Sequence, residues 1–173
     1  MGSQTTVDYG YFVGSEDEDD VEVMAEPRDR YIRGLYYPVQ IGEMLDNRYW
    51  VQHKLGWGGY STVWLAYDTQ DEKAVALKIL SPDNDQTEYH IQNIILRIVQ
   101  DTSGLLTYQS AFHLPGINNS SHMVLAYPVR GPNLRDTLYK KRSAVPRMIA
   151  AKQLLLSLNG LHDAGIVHNG MFI

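Results

Sequence analysis

Two features of this chain have residue types and spacing that suit chemistry: the glycine cluster Gly56-Trp57-Gly58-Gly59, and Lys78, which lies 22 residues beyond Gly56. Glycine has no Cβ, so backbone N–H groups in such a cluster can approach phosphate oxygens closely. Lys78 ends the run Val75-Ala76-Leu77-Lys78. Side chains alternate along a strand, so Ala76 and Lys78 share one face while Val75 and Leu77 share the other. A small residue beside a cation suits a flat base packed on Ala76 with its phosphates reaching Lys78. A lone glycine turn is usually a hairpin and a lone strand lysine is usually surface; the two together are far more specific. A dinucleotide-binding loop would need a helix after the glycines, but Ser61-Thr62-Val63-Trp64-Leu65-Ala66-Tyr67 reads as a strand. No Gly-Lys-Ser/Thr occurs, so a Walker A loop is absent.

The elements that must position these residues follow from pattern. Tyr49–Leu55, Tyr60–Tyr67 and Ala74–Leu80 are β-prone and joined by the glycine turn and the polar stretch Asp68–Glu72, which predicts an antiparallel meander. Pro82-Asp83-Asn84-Asp85 supplies helix-start chemistry, and Ile91, Ile94, Ile95 and Ile98 give an amphipathic helix from Thr87 to about Gln100. Two short strands are expected near Gln109–Leu114 and His122–Val129. Gly131-Pro132 breaks the chain before a short helix over Asn133–Lys141. Pro146 suits the first turn of a longer helix with Met148, Ala151, Leu155 and Leu158 on one stripe, and Gly165 suits its C-cap.

Composition and charge exclude several classes. The 173 residues are 44% hydrophobic and 20% charged, ordinary for one globular domain. No apolar run reaches the roughly 18 residues of a membrane span. The absence of cysteine removes disulfides, thiolate nucleophiles and Cys-ligated zinc. Six histidines (His53, His90, His113, His122, His162 and His168) lack ligand spacing, so no metal site is expected from them. The net charge of −5 argues against nucleic acid as a partner. The first 26 residues carry eight acids and no Lys or Arg, and read as an acidic disordered tail, a solubilising segment or a docking segment for a basic partner. Gly2 and Thr6 fit the loose N-myristoylation pattern, but acidic residues close behind oppose binding to anionic lipid, so no membrane attachment is expected. Residues 27–48 form a lead-in punctuated by Pro27, Pro38 and Gly42.

The chain resembles the ATP-binding lobe of protein kinases, most closely the serine/arginine-protein (SR-protein) kinases and their fungal relatives. The resemblance rests on Tyr36-Tyr37-Pro38-Val39-Gln40-Ile41-Gly42, Arg48-Tyr49, Lys54-Leu55-Gly56-Trp57-Gly58, Ser61-Thr62-Val63-Trp64-Leu65, Val75-Ala76-Leu77-Lys78 and Gly131-Pro132-Asn133-Leu134. It implies an α+β fold: an antiparallel five-stranded small lobe over 49–130 with one packed helix, then the first helices of an incomplete large lobe over 131–173. It also implies an ATP site formed by Leu55, Gly56, Trp57, Gly58, Gly59, Tyr60, Ser61, Thr62, Val63, Ala76, Lys78, Pro128 and Arg130. Tyr127 would guard the back of the pocket, and Pro128-Val129-Arg130 would be the hinge. Pro128 keeps the carbonyl that a hinge offers adenine at its first residue, and Arg130 keeps the N–H it offers at its third. An Arg/Ser-rich protein would be the substrate of a full-length form, with Mg2+ as its metal, in the cytoplasm or nucleus.

Two departures qualify that resemblance. The helix Glu that pairs with the Lys in kinases is Gln92 in the frame Gln92-Asn93-Ile94-Ile95-Leu96, with Glu88 one turn earlier as the substitute partner. In Ile166-Val167-His168-Asn169-Gly170, Gly170 stands where the catalytic-loop Asp is expected, and the chain stops three residues later. Gly-Met-Phe can be encoded through GTATGT, a common intron start, so a translated intron would account for that C-terminus. The expectation is a kinase-family chain cut at its catalytic loop, binding ATP weakly, catalytically inert, and self-associating through its unpaired last helix. The rival readings are a noncatalytic nucleotide-binding or interaction module and a gene-model fragment.

Overall fold

The computed structural model describes residues 26–82, 85–131 and 144–167. The expected helix over 133–141 and all but the last residue of the acidic stretch lie outside them. In chain order the elements are helix α1 (Asp29–Ile32), strands β1 (Met44–Leu45), β2 (Tyr49–Gly58), β3 (Ser61–Asp68) and β4 (Lys73–Leu80), helix α2 (Asp85–Ile98), strand β5 (Ser110–Pro115), a 3-10 turn (Ile117–Asn119), strand β6 (Ser121–Pro128), and helix α3 (Ala144–Asp163).

All strands join one antiparallel sheet in the order β1-β2-β3-β4-β6-β5. The five expected strands are present. The sixth, β1, comes from the lead-in, because Asp46 and Asn47 adopt positive φ (52° and 51°) and turn Met44-Leu45 back onto Tyr49-Trp50. Asp and Asn tolerate that left-handed conformation better than other side-chain-bearing residues.

Alternation sorts the sheet into two buried faces. On one, Trp64, Ala66, Val75, Leu77, Ile79, Val124 and Ala126 form a core covered by Tyr37 and Val39 of the lead-in. On the other, Leu80, Met123, Leu125 and Tyr127 pack with Ala76, Tyr89 and Tyr108. The lead-in is therefore a structural layer. Arg48 fixes its end: its guanidinium donates to both carboxylate oxygens of Asp68 at 2.7 Å. Asp68 in turn accepts the backbone N–H groups of Gln70 and Asp71, closing the β3–β4 turn.

The isoleucine stripe expected to seat α2 is only partly covered. Ile91 and Ile98 are exposed, and Tyr89 is the α2 residue packed on the sheet core. Asn93 holds that contact in place, accepting the Tyr108 hydroxyl at 2.7 Å and donating to the Tyr89 carbonyl. Helix α3 ends as expected at Gly165 (φ 74°), where the Ile166 N–H bonds back to the Leu161 carbonyl. Of its expected stripe, Met148 and Leu155 remain 70% and 64% exposed, and Leu161 is the one buried residue of α3.

Candidate functional site

Strand β2 runs through Gly58 and β3 starts at Ser61, so Gly59 and Tyr60 form the hairpin turn. None of Gly56, Gly58 and Gly59 has positive φ, so backbone conformation alone does not call for glycine there. A Cβ added at any of the three would meet no atom within 4 Å. These glycines leave open space over the backbone, the space a phosphate needs to reach N–H groups.

The strand register assembles the rest. Val63 pairs with Lys78, Leu65 with Ala76 and Ser61 with Leu80 across β3–β4. Leu125 pairs with Lys78 and Tyr127 with Ala76 across β4–β6. Directly paired residues share a face, so Ser61, Val63, Ala76, Lys78 and Tyr127 line one side of the sheet. Thr62, counted with them on sequence, belongs to the other side: it is fully buried, pairs with Ile79, and its hydroxyl accepts the Trp64 indole N–H at 3.0 Å. Leu55 sits at a register irregularity in β2 and is half exposed, as are Trp57 and, at the turn, Tyr60. Pro128 closes β6, and Arg130 follows it, exposed.

Helix α2 brings the lysine its partner. Lys78 Nζ donates to Glu88 Oε1 at 2.8 Å and Oε2 at 2.7 Å. The Tyr127 hydroxyl donates to the same Oε1 at 3.0 Å. Burial, and then the Glu88 charge, push the Tyr127 phenol well above its ordinary range, so it remains a protonated donor. The Lys78 and Glu88 side chains stay 30% and 25% exposed, so the pair is only partly covered. Gln92, one turn along, donates instead to the Leu106 carbonyl at 3.4 Å, and its buried Oε1 has no hydrogen-bond partner. Of the two candidate partners, the structure places Glu88 against the lysine. Glu88 and Gln92 share a helix face, so spacing alone did not decide between them; the axial position of α2 over the sheet does.

Sequence spacing gave no sign of the contacts on the outer side of the hairpin. There the Tyr36 hydroxyl donates to the Gly58 carbonyl and Arg30 Nη1 donates to the Gly59 carbonyl. Gly170 lies outside the described residues. Among the described residues no group of three or more His, Cys, Asp or Glu is arranged to hold a metal ion. No described helix is long and apolar enough to cross a membrane.

No protein-family model matches the chain. Known proteins do. Serine/threonine-protein kinase spk-1 of Caenorhabditis briggsae is 35% identical over 178 residues, covering 95% of this chain and 15% of the relative. SRSF protein kinase 3 of Homo sapiens is 33% identical over 90% of this chain and 29% of the relative. Protein kinase dsk1 of Schizosaccharomyces pombe is 34% identical over 87% of this chain and 30% of the relative. The chain thus spans less than a third of the length of these relatives. A solved kinase domain superposes with a TM-score of 0.61 at 20% identity, over 75% of this chain and 39% of that domain. That likeness establishes the fold: a kinase small lobe.

Proposed function

Because this chain belongs to the SR-protein kinase group of the serine/threonine protein kinases, we propose that its described part is the nucleotide-holding lobe of such a kinase. The observation that carries the reading is the doubly bonded Lys78–Glu88 pair on the face shared with Ala76 and Val63, beside a glycine hairpin with open space above it. In this reading adenine packs on Ala76 and Val63 and bonds the backbone at Pro128 and Arg130. The hairpin covers the phosphates, and Lys78, oriented by Glu88, donates to the α- and β-phosphate oxygens. The exposed part of the lysine–glutamate pair supports that approach.

Magnesium supplies charge neutralisation at the transferred phosphoryl group in kinase chemistry. The described residues offer no carboxylate set to hold it, so no step of the reaction is assigned to them beyond nucleotide binding and orientation. With Gly170 at the position expected for the catalytic-loop Asp, the residue that orients the substrate hydroxyl, the 173-residue chain transfers no phosphate in this reading. The substrate class that goes with this reading is an Arg/Ser-rich protein, in the cytoplasm or nucleus.

Calorimetric titration with ATP tests the reading. Lys78→Met should weaken binding by about 10- to 100-fold, the worth of a charged hydrogen bond. ATP binding by the parent chain that is indifferent to Lys78→Met would sink it. No ATP binding at all would favour an interaction module. Phosphate transfer by the chain alone would overturn the noncatalytic part.

A further inference from the structure

We infer that the lead-in positions the phosphate-facing backbone of the glycine hairpin, with Tyr36 and Arg30 as the positioning residues. The inference rests on the nucleotide reading for the ligand, but not for the device.

The carbonyls around the turn are engaged in series. Gly58 O accepts the Tyr36 hydroxyl, Gly59 O accepts Arg30, and Tyr60 O accepts the Ser81 N–H at 2.8 Å. The turn-and-loop backbone hydrogen bonds of the described residues include none donated by the N–H of Gly59 or Tyr60. All the described peptide bonds are trans, and in a trans peptide the N–H points opposite to the C=O it is joined to. Pulling the Gly58 and Gly59 carbonyls one way therefore turns the Gly59 and Tyr60 N–H groups the other way.

The direction follows from the sheet. Lys54 lies 4.8 Å from the Trp64 ring and 5.7 Å from the Tyr31 ring, so the lead-in sits on the Trp64 face. Trp64 pairs with Leu77, and the next residue, Lys78, points to the opposite face. The two N–H groups are thus turned to the side where Lys78 waits, a pair of adjacent donors of the kind that binds anions. The strap itself is braced. Tyr36 is 2% exposed, the Arg30 guanidinium lies 5.4 Å from its ring, the Tyr31 ring meets it edge-on at 5.4 Å, and Glu26 ties Tyr31 to Lys54. This is more than a turn needs merely to close.

The test compares the full chain with Tyr36→Phe, which removes only a hydroxyl, and Arg30→Gln, which removes the charge. Two quantities are read: 15N relaxation of the Gly59 and Tyr60 amides without ligand, and affinity for ATP against adenosine. Both variants should raise fast motion at these two amides, and each should lower ATP affinity by roughly 3- to 10-fold, one hydrogen bond's worth, while leaving adenosine affinity unchanged. Unchanged relaxation in both variants overturns the inference, whatever nucleotide does. Equal losses for ATP and adenosine overturn the phosphate assignment and leave a purely structural strap. Altered relaxation in the variants of a parent chain that itself binds no ATP supports the strap while refuting the nucleotide reading. If Tyr36→Phe does not fold, Arg30→Gln decides alone.

Discussion

At the scale of single residues, Glu88 and Gln92 separate what a sequence frame suggests from what a helix delivers. Both lie on one face of α2, but only Glu88 reaches Lys78, and only Glu88 also receives the Tyr127 hydroxyl. Glu88→Ala should lower ATP affinity by roughly tenfold, whereas Gln92→Ala should leave it within about twofold; a titration series on the two variants reads the difference. The reverse ranking would restore Gln92 as the partner. A second residue-scale prediction concerns acid. The two bonds from Arg48 are the main cause that holds the Asp68 carboxyl down, from 3.8 to about 2. A carboxylate depressed in the folded state stabilises above its unfolded pKa and loses that contribution as pH falls through the folded value. Stability should therefore drop between about pH 4 and pH 2, by on the order of 2 kcal/mol from this group, and Asp68→Asn should flatten the profile there. Equal acid slopes in parent and variant would remove Asp68 from the account. The glycine hairpin, Ala76 and Lys78 were legible beforehand because strand alternation is a local rule. Tyr36 and Arg30 were not, because their partners are carbonyls 22 and 29 residues away, and a carbonyl has no residue type to read.

At the scale of elements, all five expected strands and both expected long helices with described residues were readable from periodicity. The faces of the helices were less so. Helix α2 turns polar and aromatic residues to the sheet because the surface it meets carries Lys78 and Tyr127, and its isoleucines are left partly outside. Helix α3 is apolar around much of its circumference, with Val145, Met148, Ile149, Leu155 and Leu156 all more than half exposed. Exposed apolar area of that extent promotes association. Sedimentation of the 173-residue chain should show concentration-dependent self-association, relieved in Met148→Gln/Leu155→Gln/Leu156→Gln and in a chain ending at Lys141. Equal monomer fractions in parent and variants at all concentrations would contradict this.

At the scale of the whole molecule, the lead-in changes what the sheet is. Its prolines and glycines read as punctuation, yet Tyr37 and Val39 lie on the Trp64 core and Arg48 locks the far end to Asp68. Pattern did not reveal this because the segment has no helical or strand period; its contacts are set by the surface it crosses. Removing residues 1–43 should uncover that core face and lower the melting temperature by many degrees, and Tyr37→Ala should lower it in the same direction by a smaller amount. Calorimetry on the two forms decides; unchanged melting would make the lead-in a passive tether.

The order of strands carries a consequence for time. Strands β2, β3 and β4 are neighbours in sequence and in the sheet, while β6 reaches β4 only after the 40 residues from 81 to 120. Closing a long loop costs entropy before any contact repays it, and nonlocal pairing slows folding. The glycine hairpin and the strand that bears Lys78 should therefore form an early meander, with β5–β6 joining as a second unit. Tyr127 arrives with that unit, on the strand that docks last. On a nascent or refolding chain, the bond from its hydroxyl to Glu88 marks the moment when the sheet is complete.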